Sequence, residues 1–235
     1  MKKIICLFTL LGLASTSAHA ATFNFGDYAD GDNSNAATFS NSLSNSGLGE
    51  FGYDSYSVTN AGITVTASGS YVDDSGDTQD ASAYLDSRFR NLAGLGVCKT
   101  LSGTNQCNPS SDDNITHNET LTLVFDTTVS LDGLRFVNGE HFTNFSGDFL
   151  LRINNDDSLL HTLSLAEFPL LGSTVDFIGN TFEFISLAGL SSGSEEEFYL
   201  NTLTVSAVPV PAAAWLFGSA LFGFAGLKRF KKAKA

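Results

Sequence analysis

Thr120-Leu121-Thr122-Leu123-Val124-Phe125, with Val129-Ser130-Leu131-Asp132-Gly133-Leu134-Arg135-Phe136 close behind, decides the fold class. Apolar and polar residues alternate with period two, and β-branched and aromatic side chains dominate. That pattern belongs to half-buried strands, whose side chains point alternately to core and solvent. Working outward, the same alternation marks Ser57-Val58-Thr59 and Gly62-Ile63-Thr64-Val65-Thr66-Ala67. It marks further strands at Asp148 to Ile153, Thr174 to Ile178, Thr181 to Leu187 and Phe198 to Val205. Clusters such as Asn154-Asn155-Asp156-Asp157 and Ser191-Ser192-Gly193-Ser194 supply turns. Ser158 to Phe168 reads as a strand followed by a turn, although its leucines also allow a helix. The polar stretch from Gly26 to Ser57 reads as loop or ragged edge. With 20 Phe and one Trp, phenylalanine fills the core. About eight strands predict an all-β, antiparallel β-sandwich of the jelly-roll kind, because an antiparallel sheet with one wet face produces this alternation.

Both ends of the chain lie outside that domain. Lys2 and Lys3, an apolar run from Ile4 to Ala14 and then Ala18-His19-Ala20 follow the order of a secretory signal peptide. The run is too short for a membrane anchor, so signal peptidase is expected to cut after Ala20. Residues 21–207 form the expected ectodomain. They keep five basic residues against all 25 acidic ones, a net charge of −20. Such a surface repels phosphate backbones, so no nucleic acid partner is expected.

Cys98 and Cys107 remain after the signal, in a stretch that reads as loop. In an oxidising compartment their simplest state is one disulfide. Free thiols and a metal site are the alternatives, and His117 is the one histidine near enough in sequence to join a metal. His117, His141 and His161 show no metal-ligand spacing and read as surface or edge residues. Gly189-Leu190-Ser191-Ser192-Gly193 matches the G-x-S-x-G pattern of a nucleophile elbow. That elbow needs a helix after the serine, and in the α/β-hydrolase order a histidine later in the chain. A strand pattern follows instead and the last histidine is His161, so a turn is the reading. Glu195-Glu196-Glu197 reads as an exposed charge run.

Calcium is the ligand with most sequence support. Asp30 and Asp32 (with Asp27), Asp73 and Asp74 (with Asp77 and Asp80), and Asp112 and Asp113 form three oxygen-rich loops. Calcium takes six to eight such oxygens, but none of the loops fits an EF-hand. Acidic turns are also common on secreted domains. The alternating threonines Thr64/Thr66, Thr120/Thr122 and Thr202/Thr204 could make a flat hydroxyl face for ice or sugar; the same pattern lines the wet side of ordinary strands. Tyr53, Tyr56 and Tyr71 are candidates for stacking on sugar rings.

At the other end, Val208-Pro209-Val210-Pro211 precedes the apolar run 212–227, which includes Trp215-Leu216-Phe217-Gly218-Ser219-Ala220-Leu221. Lys228-Arg229-Phe230-Lys231-Lys232 follows. As a helix the apolar run would span about 24 Å, slightly short of a ~30 Å hydrocarbon core. The lysines can snorkel across the difference, and the basic tail sets this end in the cytoplasm. The segment 208–235 resembles the PEP-CTERM sorting signal in its Val-Pro-Leu-Pro-Ala variant. The resemblance implies processing at or near Pro209, Val210, Pro211 and Ala212 by exosortase, a membrane-embedded cysteine peptidase. It also implies a link with exopolysaccharide and biofilm production in Gram-negative bacteria. Here the glutamate of the Pro-Glu-Pro form is absent, and Val210 stands where the variant usually has leucine. Gly94-Leu95-Gly96-Val97-Cys98 and Cys107-Asn108-Pro109-Ser110-Ser111-Asp112-Asp113-Asn114 resemble exported sandwich domains often attached to such tails, which implies no activity.

The expectation is therefore an exported envelope or matrix protein that is not an enzyme. Its C-terminal helix holds it in the inner membrane with the domain outside, and processing then leaves it at the cell surface or released. The domain is expected to bind polysaccharide or calcium; the alternative is a secreted glycan-active enzyme.

Overall fold

The structure, a computed structural model, describes residues 19–29, 38–39, 50–86, 93–143, 147–165, 177–187 and 197–209. The first half of the chain carries β1 (Ala20–Asn24), a short helix α1 (Phe25–Ala29), β2 (Thr38–Phe39), β3 (Phe51–Tyr53), β4 (Tyr56–Asn60), β5 (Ile63–Val72), β6 (Thr78–Leu85) and β7 (Leu95–Cys98). The second half carries β8 (Glu119–Asn138), β9 (Asp148–Ile153), β10 (Asp156–Ser164), β11 (Ile178–Ser186) and β12 (Phe198–Ala207). Residues 19–208 form one compact unit.

The chain is all-β and antiparallel, as the alternation requires. It departs from two separate packed sheets. The strands form one sheet in the order β10-β9-β11-β8-β12-β7-β6-β5-β4-β2, with β1 beside β12 and β3 beside β6. A further β8–β5 pairing closes β8, β12, β7, β6 and β5 into a hydrogen-bonded ring. The closure follows from the length of β8. Its first half pairs with β5, Val65 opposite Phe125 to Tyr71 opposite Glu119. Its second half pairs with β12, Phe198 opposite Asn138 to Ala207 opposite Val129. The two runs that look like separate strands in the sequence are this single 20-residue strand.

Bulges turn the chain between the two halves. Buried positions on β8 fall on odd residues up to Leu131 and on even ones at Leu134 and Phe136. The phase changes where the register slips between Thr204 and Val205, leaving Asp132 as the extra residue. A second slip between Leu200 and Thr202 leaves Asn201 as the extra residue on β12. An extra residue increases local twist and re-aims the side chains beyond it, which lets one strand serve two sheet halves.

Two-residue turns fix the hairpins. β9 and β10 are joined by Asn154-Asn155, at φ 55° and 56°, a conformation asparagine tolerates well. Asp156 and Asp157 belong to β10 rather than to the turn, and Ser158 lies on that strand too. Ala61 (φ 48°) and Gly62 (φ 80°) join β4 to β5.

The core is aromatic. The Phe136 ring meets Phe149 at 5.0 Å and Phe198 at 5.5 Å, both edge to face, a geometry that adds to apolar burial. Tyr53 and Tyr56 are buried beside one another at 5.2 Å, so they are core residues rather than surface stacking groups. The stretch read as loop from Gly26 onward contains the buried helix α1 and strands β2 and β3. Most of the strand expected at Thr174 to Ile178, and the turn at 189–193, lie outside the described residues.

Candidate functional site

Cys98 and Cys107 form a disulfide, with Cα atoms 5.8 Å apart. Cys98 ends β7 rather than sitting in a loop, and Cys107 bridges to Leu101. With Asp112 these cysteines make the sole group of three metal-type side chains, among the described residues, whose ligand atoms lie within 4.8 Å of one another. A disulfide has no thiolate to offer, so that trio is not a metal centre.

The acidic loops are placed unequally. Asp30 and Asp32, and the sorting residues Val210, Pro211 and Ala212, lie outside the described residues; Pro209 is exposed just beyond β12. Asp73 holds the β5–β6 turn together. Its Oδ1 accepts from the backbone N–H groups of Ser75 (2.9 Å) and Asp77 (3.0 Å), and its Oδ2 accepts from Gln79 Nε2 (2.8 Å). Those bonds, the Asp77 N–H and Gln79 foremost, hold its carboxyl below the usual range. Asp74 is exposed in the same turn, and Asp80 belongs to β6. Asp112 pairs with Lys99 Nζ at 3.3 Å. None of these carboxylates converges on another loop's acids.

The threonines do converge. Register places Ser57 opposite Thr66 and Thr59 opposite Thr64, and the hydroxyls bond across the strands at 2.8 and 2.9 Å. Thr66 lies opposite Val124, Ser68 opposite Thr122 and Ser70 opposite Thr120. Beyond β8, Thr181 faces Val124, Glu183 faces Thr122 and Ile185 faces Thr120. Arg152 on β9 holds Glu183 through Nε (2.5 Å) and Nη2 (3.0 Å), and Asp157 through Nη1 (3.1 Å). β4, β5 and β8 therefore present a face of serine and threonine hydroxyls, bordered by a charged and apolar strip on β11 and β9. At ~4.8 Å between strands the hydroxyl face is about 10 Å across, and about 19 Å with the β11–β9 strip. Thr202 and Thr204 belong to a different patch on β12, where Thr204 bonds Thr22 of β1 at 3.1 Å.

A second polar group is buried, and little in the sequence points to it. Asp86, directly after β6, is 2% exposed. Its Oδ2 lies 3.4 Å from His141 Nδ1. His141 sits at φ 67° and stacks on Tyr199 with ring centroids 5.5 Å apart. The Tyr199 hydroxyl donates to Asp113 Oδ1 at 2.5 Å, and Asn114 Nδ2 donates to Glu197 Oε2 at 3.0 Å. Burial pushes the Asp113 carboxyl up against the opposing bond from Tyr199. Burial, then the charges of Asp86 and Asp113, push the Tyr199 hydroxyl well above its ordinary value. His141 is thus packed rather than superficial, whereas His117 is exposed. The legible trace in the sequence is Gly94-x-Gly96: a Cβ at Gly96 would collide with the Asp113 carbonyl and one at Gly94 with the Leu200 carbonyl. These glycines let β7 press against both segments.

A third polar group lies by the β5–β6 turn. Glu119 is fully buried, and Lys99 Nζ reaches its Oε1 at 2.8 Å while lying 5.7 Å from the centre of the Tyr71 ring. Tyr71 thus carries a lysine on its face. Burial raises the Glu119 carboxyl to about 7 despite the bonds from Lys99 and the Thr116 N–H.

Compared with known proteins, the chain matches no family model, no curated protein and no solved structure. Among the described residues no helix is long and apolar enough to cross a membrane.

Proposed function

We propose that this chain is an exported cell-envelope or matrix protein whose β-domain binds polysaccharide without cleaving it, across the hydroxyl face of β4, β5 and β8. The observation that carries this reading is the convergence of Ser57, Thr59, Thr64, Thr66, Ser68, Thr120 and Thr122 on adjacent strands. Each hydroxyl can donate one hydrogen bond and accept two, the chemistry that a sugar hydroxyl presents in return. A face that runs across three adjacent strands suits an extended polymer better than a single ring. The secretory pattern of residues 1–20 and the PEP-CTERM-like tail support delivery through signal peptidase, the inner membrane and an exosortase-type enzyme. The tail's association with exopolysaccharide points to the polymer class.

The test is binding of the purified chain to a panel of bacterial exopolysaccharides. Thr66→Val with Thr122→Val keeps β-propensity and removes two hydroxyls from the centre of the face. We expect binding to weaken by roughly tenfold, as two hydrogen bonds of about 0.5–1.5 kcal/mol each are lost. Unchanged binding by the double variant would remove this face from consideration. Release of reducing sugar by the wild-type chain would replace the binding reading with a glycan-active enzyme. A reporter fused after Ala207 that reads out in the cytoplasm would overturn export.

A further inference from the structure

We propose that the Lys99 amine and the Asp112 carboxyl condense to an isopeptide bond within the chain, with Glu119 carrying the proton. The inference is independent of the polysaccharide face, which lies on β4, β5 and β8.

Geometry carries the first argument. Lys99 follows the last residue of β7, Asp112 lies in the segment beyond Cys107, and Glu119 opens β8. The three meet at one atom. Lys99 Nζ lies 3.3 Å from Asp112 Oδ1 and 2.8 Å from Glu119 Oε1. The Lys99 backbone N–H donates to Asp112 Oδ2 at 3.3 Å, and the Thr116 N–H donates to Glu119 Oε2 at 2.8 Å. Each carboxyl is thus held by backbone at one oxygen and turns the other to the amine. The carbon that the amine must reach is one bond beyond Asp112 Oδ1. Groups held this closely react at effective concentrations far above any reached by free acid and amine in water.

Burial carries the second and divides the roles. The Glu119 side chain is 0% exposed, against 31% for Lys99 and 18% for Asp112. Nζ also lies 5.7 Å from the centre of the Tyr71 ring. Three charged groups in this setting carry a desolvation cost, and a neutral amide removes two of them. Burial raises the Glu119 carboxyl to about 7, so at neutral pH it accepts a proton more readily than an ordinary carboxylate. Asp112 reaches solvent, so water released at its carbon can leave. Burial pulls the Lys99 amine down, but its contacts with Glu119 and Asp112 outweigh that and hold it above its ordinary value. The free amine is therefore a minor state, which suffices for a reaction that occurs once per molecule.

The step balances without any other reactant. Glu119 takes one proton from the Lys99 ammonium, and the freed electron pair attacks Asp112 Cγ. The C–N bond forms and one Cγ–O bond breaks. That oxygen leaves as water with the proton returned by Glu119 and a second from the nitrogen. Ammonium and carboxylate become one neutral amide, beside the Cys98–Cys107 disulfide. In freshly refolded chain, recognised by its full mass, Lys99 is still the cation of Glu119.

The experiment uses the full chain in detergent, reduced, alkylated at its cysteines and cut with trypsin. Trypsin cuts after a free lysine and spares an amidated one. Linked chain therefore yields residues 91–135 in one piece, one water lighter than the alkylated sequence, because Arg90 and Arg135 flank that piece and Lys99 is the one basic residue between them. Chymotrypsin cutting after Leu101 should then leave two pieces joined through the Lys99 and Asp112 side chains. We expect the linked form to accumulate in folded chain and to be absent from chain held in urea. Asp112→Ala should stay unlinked. Glu119→Gln keeps the shape but cannot carry the proton, and should slow linkage by roughly 100-fold or more. Asp113→Asn, whose carboxyl meets Tyr199 instead, should link at the wild-type rate. Complete cutting after Lys99 in aged, folded wild-type chain would overturn the proposal, and that result needs no variant to fold. So would a branch at Glu119 in place of Asp112, or undiminished linkage in Glu119→Gln.

Discussion

The hydroxyl face and the buried polar groups use oxygen chemistry in opposite settings. On β4, β5 and β8 the hydroxyls are half exposed and replaceable by water, and those of Ser57, Thr59, Thr64 and Thr66 bond a neighbour across the β4–β5 pair. Around Tyr199 and around Glu119, Asp86 and Glu119 are buried and Asp113 is half-buried, and the groups that meet them come from distant segments. The contrast explains where sensitivity should lie. An exposed polar pair loses little when it is broken, because water takes over. A buried charge that loses its partner keeps its full desolvation penalty.

The largest effect should come from Lys99. Lys99→Met leaves the fully buried Glu119 carboxylate without its cation. We expect a loss of about 3 kcal/mol at pH 8, the low end for a broken buried pair because Lys99 itself reaches solvent. The loss should shrink with acid. The folded-state value of Glu119 is about 7, above its ordinary 4.5, so the folded protein binds the extra proton between those values. Stability from this group is therefore fully present below about 4.5 and is lost as pH rises through 7. At pH 5 the carboxyl is already neutral and the lysine contributes little. Urea unfolding at both pH values checks this, and adding Glu119→Gln to Lys99→Met should recover most of the loss at pH 8. An equal loss at both pH values would mean that Lys99 acts through packing on Tyr71.

The disulfide comes next and involves no polar burial. Replacing Cys98 and Cys107 together by alanine opens a closed loop of about ten residues, which should lower stability by about 2–3 kcal/mol at any pH. Chemical denaturation of the reduced wild type should give the same value. The pairing was legible from two cysteines nine apart, given the expectation of an oxidising compartment. The strand class was legible too, since period two survives wherever one face of a sheet is wet. What was hidden follows from bulges. Asp132 and Asn201 each shift the phase by one residue, and no local pattern announces that β8 runs unbroken from Glu119 to Asn138. The closed ring depends on that continuity, so two separate sheets were the natural expectation. The group around Tyr199 was hidden for a related reason. Its members sit at 86, 113, 114, 141, 197 and 199, and only the ring brings them together. Asp112 and Asp113 look equivalent in the sequence, yet one side chain meets Lys99 and the next meets Tyr199.

The smallest effect should come from the hydroxyl face, and it is the sharpest check on the comparison. Thr59 and Thr64 bond each other at 2.9 Å across β4 and β5. Valine matches threonine in shape and β-propensity, so Thr59→Val with Thr64→Val removes the hydrogen bond and leaves the strand surface filled. Cross-strand pairs of this kind contribute roughly 0.2–1 kcal/mol, and the double variant leaves no orphaned partner behind. The expected change in unfolding free energy is about 0.5 kcal/mol or less, with a coupling of similar size in a double-mutant cycle. A loss above about 2 kcal/mol would show that these hydroxyls hold the β4–β5 hairpin in place. The face would then be a structural seam, and its serines and threonines would no longer be free to meet a polymer.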